Sequence, residues 1–322
     1  MMFNPFRYGL TQVKAPEGRG LWLYGEADMA TGDVYQPWKQ YASLLQRKGC
    51  NVFTDIEALK GDYDAVFVNC PKQQEETQAL IARALELSKG FVMAAAPNNA
   101  GGARLKNIME SFGLKVEQSS KNHFRIIWAL RADQAARTLI KQNKQWLIPQ
   151  RIEMGNESWW TMPGLFGWNK IDSGSKILIK HLPVNLSGRI ADFGCGYGYL
   201  SIMVMKHSNK IDVIDAYDAD ARAVECCKRN GNGKVNAMWQ DITSLQAKGK
   251  YDTIIMNPPF HTGKDEDVAL GRNFIETAWK SLKPRGRLFM VANQTLPYEK
   301  VVPGLHILFE GHGFKVLTGS VP

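Results

Sequence analysis

Two short stretches of this chain carry residue types suited to holding a small charged molecule and a flat ring. The first is DFGCGYG (192–198), where Asp192, Gly194, Gly196 and Gly198 alternate as D-x-G-x-G-x-G. Glycines at that spacing allow a tight turn and close backbone approach to a ligand at a helix N-terminus. The second is NPPF (257–260), which ends the apolar run YDTIIM. Proline cannot donate to a strand ladder, so Pro258 and Pro259 stop the strand there. Their stiffness fixes the Asn257 side-chain carbonyl and the Pro258 backbone carbonyl where the chain leaves the sheet. Two acceptors converging on one point suit an exocyclic NH2 group. Phe260 offers a face for a flat ring.

The glycine turn alone also fits a dinucleotide site. Asp192 separates the readings. A carboxylate there would repel a pyrophosphate and attract the cationic amino-acid portion of S-adenosylmethionine (SAM). Asp218, at the end of the next apolar run, is placed to accept from ribose hydroxyls, which either cofactor requires. Asp215 reads as a strand residue and Asp220 as an N-terminal helix residue. Asp241 ends a third strand, as an acceptor for an adenine amine or as a solvated turn residue. His261 follows Phe260, and a lone loop histidine is more often structural.

An aromatic amine is a poor nucleophile because its lone pair is delocalised into the ring. Holding both N–H bonds in acceptors favours a more tetrahedral nitrogen and aims the lone pair at a methyl sulfonium. Such a transfer rests on positioning and electrostatics, without a serine or cysteine nucleophile. The five cysteines form no CxxC pair and match no zinc spacing, so no metal site is expected and the thiols read as reduced.

The elements that must position these residues alternate. RIADF, IDVIDAYD, VNAMWQD, YDTIIMN and RLFMVAN read as strands; 198–208, 219–231 and 272–286 read as helices, the last closed by Pro284 and Gly286. A helix-like stretch follows residue 293, and GFKVLTGS ends the chain. The fold class is therefore α/β with a doubly wound, mostly parallel sheet. The first half echoes the second. YDAVFVNCP (63–71) mirrors YDTIIMNPP (251–259), LSKGFVMAAAPN (87–98) mirrors LKPRGRLFMVANQ (282–294), and MESFGLKVEQSS (109–120) mirrors FEGHGFKVLTGS (309–320). The first copy lacks a glycine-rich turn in LWLYGEADMATGD (21–33) and an aromatic after NCP. Two copies of one Rossmann-like unit are expected: a degenerate domain over 1–130, a basic linker over 131–155, and an equipped domain over 156–322.

The net charge of +9, divided almost evenly between the halves, favours a polyanionic partner such as nucleic acid. MMFNPFRYGLTQ shows no apolar segment behind a basic start, and no run approaches a membrane span. A soluble, cytoplasmic monomer is expected.

DFGCGYG with NPPF resembles the class I SAM-dependent methyltransferases of exocyclic or amide nitrogens. TMPGLFGWNKIDSGSKILI (161–179), Asp218, NPPFHTG (257–263) and ANQTLPY (292–298) together resemble a narrower group, the bacterial ribosomal RNA guanine-N2 methyltransferases of the RsmC and RlmG type. That resemblance covers 155–322 strongly and about 20–130 weakly. It implies tandem methyltransferase-like domains with SAM only in the second, a degenerate first domain that grips RNA, and guanine N2 of rRNA as acceptor, with 16S rRNA of the small subunit the expected target. Asp192, Gly194, Gly196 and Gly198 would then hold SAM, Asp218 its ribose and Asp241 its adenine. Asn257, Pro258, Pro259 and Phe260 would hold the base. Phe166 would lie near the cofactor, or else be a core aromatic. The competing readings are a 23S rRNA enzyme, a protein glutamine-N5 methyltransferase, a DNA amino-methyltransferase and an RNA-binding assembly protein with a decayed site.

Overall fold

The structure, a computed structural model, describes residues 3–259 and 265–322, so Phe260 and His261 lie outside the described residues. The chain divides into two compact units, Met1–Pro149 with Met162–Gly164, and Gln150–Thr161 with Leu165–Pro322.

The first unit holds β1 (Gly20–Leu23), β2 (Asp33–Tyr35), β3 (Asn51–Phe53), β4 (Tyr63–Asn69), β5 (Ser88–Pro97), β6 (Glu117–Lys121) and β7 (Phe124–Ala129). They form one sheet in the order β3-β2-β1-β4-β5-β7-β6, with β7 antiparallel to its neighbours. The second unit opens with a hairpin, β8 (Gln150–Met154) and β9 (Glu157–Thr161). Its sheet contains β10 (Gly188–Phe193), β11 (Ile211–Asp218), β12 (Val235–Trp239), β13 (Tyr251–Met256), β14 (Leu282–Asn293), β15 (His306–Gly311) and β16 (Phe314–Ser320). The order β12-β11-β10-β13-β14-β16-β15 repeats that of the first unit strand for strand.

Strands buried on both faces need apolar residues at every position. In β13, Ile254 and Met256 enter one core and Ile255 the other. In β14, Leu288, Met290 and Ala292 face the first of these cores, Phe289 and Val291 the second. The period-two alternation therefore splits one apolar run between two helix-covered faces.

The duplication extends to a polar cluster where each first strand begins. Arg189 donates through Nε and Nη2 to Asp215, Tyr251 donates its hydroxyl to the same oxygen, and Asn236 donates to the other oxygen. In the first unit Arg19, Tyr63 and Asn51 make the same bonds to Asp33. The Arg19 amide donates to Asp64, which pairs with Lys89; the Arg189 amide donates to Asp252, which pairs with Lys283. Burial pushes the Asp215 carboxyl up, but donors from Asn236, Arg189, Tyr251 and Lys250 bring it down to about 2. The same arginine, tyrosine and asparagine donors thus surround one aspartate in each unit, as a repeat of the α/β unit requires.

The units differ at the opposite, carboxyl edge. The residue just past β1 is Tyr24, and just past β10 it is Gly194. Both have positive φ, 57° and 78°, and both donate their amide 2.9 Å to a tyrosine carbonyl of the next strand, Tyr35 or Tyr217. Tyr24 keeps the glycine's backbone conformation but adds a ring, whose hydroxyl donates 2.5 Å to buried Glu76. The first unit has filled with side chains the place where the second leaves a bare turn.

Three expectations are corrected. Residues 131–149 are not a linker: Ala132, Ala135, Ile140 and Leu147 are buried in the first unit's core, and the hairpin begins at Gln150. The helix expected over 272–286 spans Asp265–Ser281, because Leu282 already pairs with Tyr251 and Lys283 to Gly286 form a bulge in β14. The stretch after 293 holds only a short 3-10 turn, Tyr298–Lys300, before β15.

Candidate functional site

The sheet order reverses between β10 and β13, which run parallel side by side. Phe193 pairs with Met256 in register, so the chain leaves the two strands together, at Gly194 and Asn257. Ligands of open α/β sheets bind at such switch points.

Gly194, Gly196 and Gly198 all take positive φ, 78°, 53° and 95°. Gly198 precedes the helix Tyr199–His207, and a Cβ there would come 2.8 Å from Cys227 Sγ. That glycine serves close helix packing. A Cβ on Gly196 would meet no atom within 4 Å, so the space beside this residue is open and its positive φ is what favours glycine there. The turn is held from β11: Gly196 donates its amide 2.8 Å to Asp218 Oδ2, and Asp220 donates 2.9 Å to Asp218 Oδ1. Burial raises the Asp218 carboxyl to about 6, against the pull of those two donors.

Asp192 is fully buried. Its Oδ2 accepts from the Ser201 amide at 3.1 Å and hydroxyl at 2.7 Å. Its Oδ1 has no partner among the described residues. Burial drives this carboxyl up to about 7, with Ser201 opposing. A buried carboxylate oxygen without a donor is costly, so it calls for a cationic or N–H-bearing group.

Asp241 lies past β12, and its Oδ1 accepts from the Thr243 amide and hydroxyl as the cap of a short 3-10 turn. Phe166 is 56% exposed, which removes its reading as a core aromatic. Asp215 lies within β11 and Asp220 caps the helix Ala221–Gly231, as their spacing indicated.

Asn257 is half-buried, and its Nδ2 donates 3.0 Å to Asp172 Oδ2 and 2.8 Å to Ser175 Oγ. An ionised carboxylate only accepts, so Asp172 decides which end of the amide faces it. Oδ1 must then point the other way, and it has no partner among the described residues. Pro258 is buried behind it and Pro259 is exposed. Asp172 Oδ2 also accepts from the Ser175 amide at 2.7 Å, capping the helix Ser173–His181. These two residues were missed from sequence. The D-S-G-S run signals a helix cap, but nothing in it says that the cap faces Asn257.

A glycine turn and a strand-end amide side by side at the switch point of a β12-β11-β10-β13-β14-β16-β15 sheet are the arrangement of a SAM-dependent methyltransferase. Residues 157–318 match the model of the methyltransferase small domain. With half the chain matched and the relatives below, the chain belongs to that family and, within it, to the RsmC-type methyltransferases. It is 30% identical to the ribosomal RNA small subunit methyltransferase C of Acinetobacter baumannii, covering 84% of this chain and 82% of that one. The protein of the same name from Psychromonas ingrahamii is 29% identical over 83% of this chain and 78% of its own. Among solved structures, the T. thermophilus 16S rRNA N2 G1207 methyltransferase (RsmC), in complex with AdoMet and guanosine, shares the fold. Its TM-score is 0.80 at 21% identity, covering 99% of this chain and 92% of that one.

Proposed function

We propose that this protein transfers a methyl group from SAM to the exocyclic N2 of a guanine in 16S ribosomal RNA. The observation that carries the reading is the side-by-side exit of Gly194 and Asn257 from paired strands, with the Asn257 amide turned by Asp172. The relatives' names supply the RNA, and the T. thermophilus enzyme's title supplies the guanine. The +9 charge suits a polyanionic substrate.

The residues present fit the cofactor. Asp192 Oδ1 would take the amino group of its methionine part, Gly194 to Gly198 would let it approach the backbone, Asp218 would accept from its ribose and Asp241 from its adenine. When bound, SAM supplies an electrophilic methyl on a sulfonium. Asn257 Oδ1 and the Pro258 carbonyl accept the two N–H bonds of the guanine amine and aim its lone pair at that methyl. Phe260, outside the described residues, would stack on the base. The methylated nitrogen sheds its extra proton after the displacement, so no strong base is needed. The degenerate first unit would contribute grip on RNA. Among the described residues no helix is long and apolar enough to cross a membrane. A cytoplasmic monomer acting on RNA or on the small subunit completes the proposal.

The test is methyl transfer from tritiated SAM to ribosomal RNA taken from a strain lacking the gene. Label at one guanine of 16S RNA, recovered as N2-methylguanine, is expected. Label on 23S RNA, on protein, or nowhere would overturn the assignment.

A further inference from the structure

Trp160, on β9, is half-buried and carries two guanidinium groups over its ring. Arg151 Cζ lies 5.6 Å and Arg229 Cζ 5.2 Å from the indole centroid. Both arginines are exposed, and each is held through its own Nε. Arg151 Nε donates 2.9 Å to Ser158 Oγ, and Arg229 Nε donates 2.8 Å to Glu225. The Nη groups of both have no partner among the described residues. Each guanidinium is thus fixed by its ring contact and its Nε while presenting its outer N–H pair to solvent. A pre-oriented fork of that kind matches the oxygens of a phosphodiester and loses little side-chain freedom on binding.

The hairpin that carries Trp160 is fastened to the glycine turn. Asn230 donates 2.8 Å to the Trp160 carbonyl and 2.7 Å to the Tyr197 carbonyl, and accepts from the Trp160 amide. Trp159 packs edge-on against Tyr197 at 5.7 Å and also meets Tyr199 at 5.5 Å. One asparagine therefore links the arginine pair to the loop that includes Gly196 and Gly198. No step of the methyl transfer uses these groups.

We propose that Arg151 and Arg229, stacked on Trp160, form a clamp for two backbone phosphates of a single-stranded RNA segment flanking the target base. The inference rests on the RNA reading of the site, since only a polynucleotide acceptor offers two successive backbone phosphates beside the target base. Tying the clamp to the glycine turn keeps the RNA backbone at a set distance from the cofactor. The i,i+4 pair with Glu225 leaves the local charge positive, because Lys228 is exposed on the same helix.

The test compares wild type, the double variant Arg151→Gln/Arg229→Gln and the double variant Arg151→Lys/Arg229→Lys. The probes are a short guanine-containing single-stranded RNA, titrated over a range of KCl, and SAM, titrated by calorimetry. Glutamine keeps the stem packing and removes the charge. The Gln pair should keep SAM affinity and lose about tenfold or more in RNA affinity. Its salt slope should become shallower by about 1.4, the value for two single-strand phosphates. The Lys pair should keep the slope and lose part of the affinity, because an ammonium cannot fork. A Gln pair that binds RNA with wild-type affinity and slope would overturn the clamp and leave the RNA reading standing. Wild type that binds SAM but no RNA would overturn both.

Discussion

Asn257 Nδ2 lies 3.0 Å from Asp172 Oδ2, two residues 85 positions apart that meet at the tip of β13. The carboxylate does two tasks at once. It caps the helix Ser173–His181 and it orients the amide that we assign to the acceptor base. Asp172→Ala should cost about 1 kcal/mol of stability through the lost cap. It should also lower kcat at least tenfold while SAM affinity changes little. Asp172→Asn retains a good capping residue, so its stability should return while turnover stays reduced. Thermal melts and single-turnover rates check both variants. Full turnover in Asp172→Ala would mean that the amide orients itself without the carboxylate.

Removing the amide is the sharper version of that change. Asn257→Ala should leave SAM affinity nearly intact and reduce turnover by at least about 10²-fold, the scale seen when one pre-oriented hydrogen-bonding group is lost from a reacting centre. Calorimetry beside single-turnover kinetics separates the two effects, and normal turnover would remove Asn257 from the chemistry.

Asp192 ties cofactor binding to pH. Its folded-state value, about 7, lies above the ordinary carboxylate value in the unfolded chain, because burial disfavours the charge. A raised acid contributes its stability fully below the unfolded value near 4, and that contribution is lost as pH rises through about 7. At pH 8 the cofactor-free protein carries the whole cost of a buried charge, on the order of 4 kcal/mol at most. Asp192→Asn should therefore melt higher than wild type at pH 8, with the difference vanishing near pH 4, and should bind SAM poorly at every pH. Wild-type SAM affinity should fall as pH drops below about 7, where Asp192 takes up a proton. A flat affinity profile between pH 5.5 and 8 would detach Asp192 from the cofactor.

Tyr24 predicts the stoichiometry. The first unit keeps the strand order and the positive φ of the turn but fills it with a ring bonded to Glu76. One SAM per chain is expected. Gly196→Trp, which puts an indole on the glycine turn of the second unit, should abolish binding rather than halve it. Calorimetric titration of both proteins decides the matter, and residual binding in the variant would assign a site to the first unit.

Much of the site was legible in local sequence. D-x-G-x-G-x-G between a strand and a helix has few conformational solutions, and all three glycines take the positive φ that their type permits. Two prolines after YDTIIM left little choice but a strand end, and β13 stops at Met256. The echo between YDAVFVNCP and YDTIIMNPP reflected an actual repeat of sheet order, because apolar runs of the same length and spacing feed the same packing. The boundary between units was not legible. Residues 131–149 are polar on average, and only their docked positions show that Ile140 and Leu147 belong to the first core.

By itself the sequence determined which residue types stand at each strand end, since backbone stiffness and freedom are local properties of proline and glycine. Tertiary structure alone decided what those residues face. That Asp172 turns the amide of Asn257, that Asp192 is sealed with one oxygen lacking a partner among the described residues, and that two arginines far apart in sequence share one indole all depend on the register of parallel strands and the docking of helices. Such contacts are set by long-range packing, which no short window of residues contains.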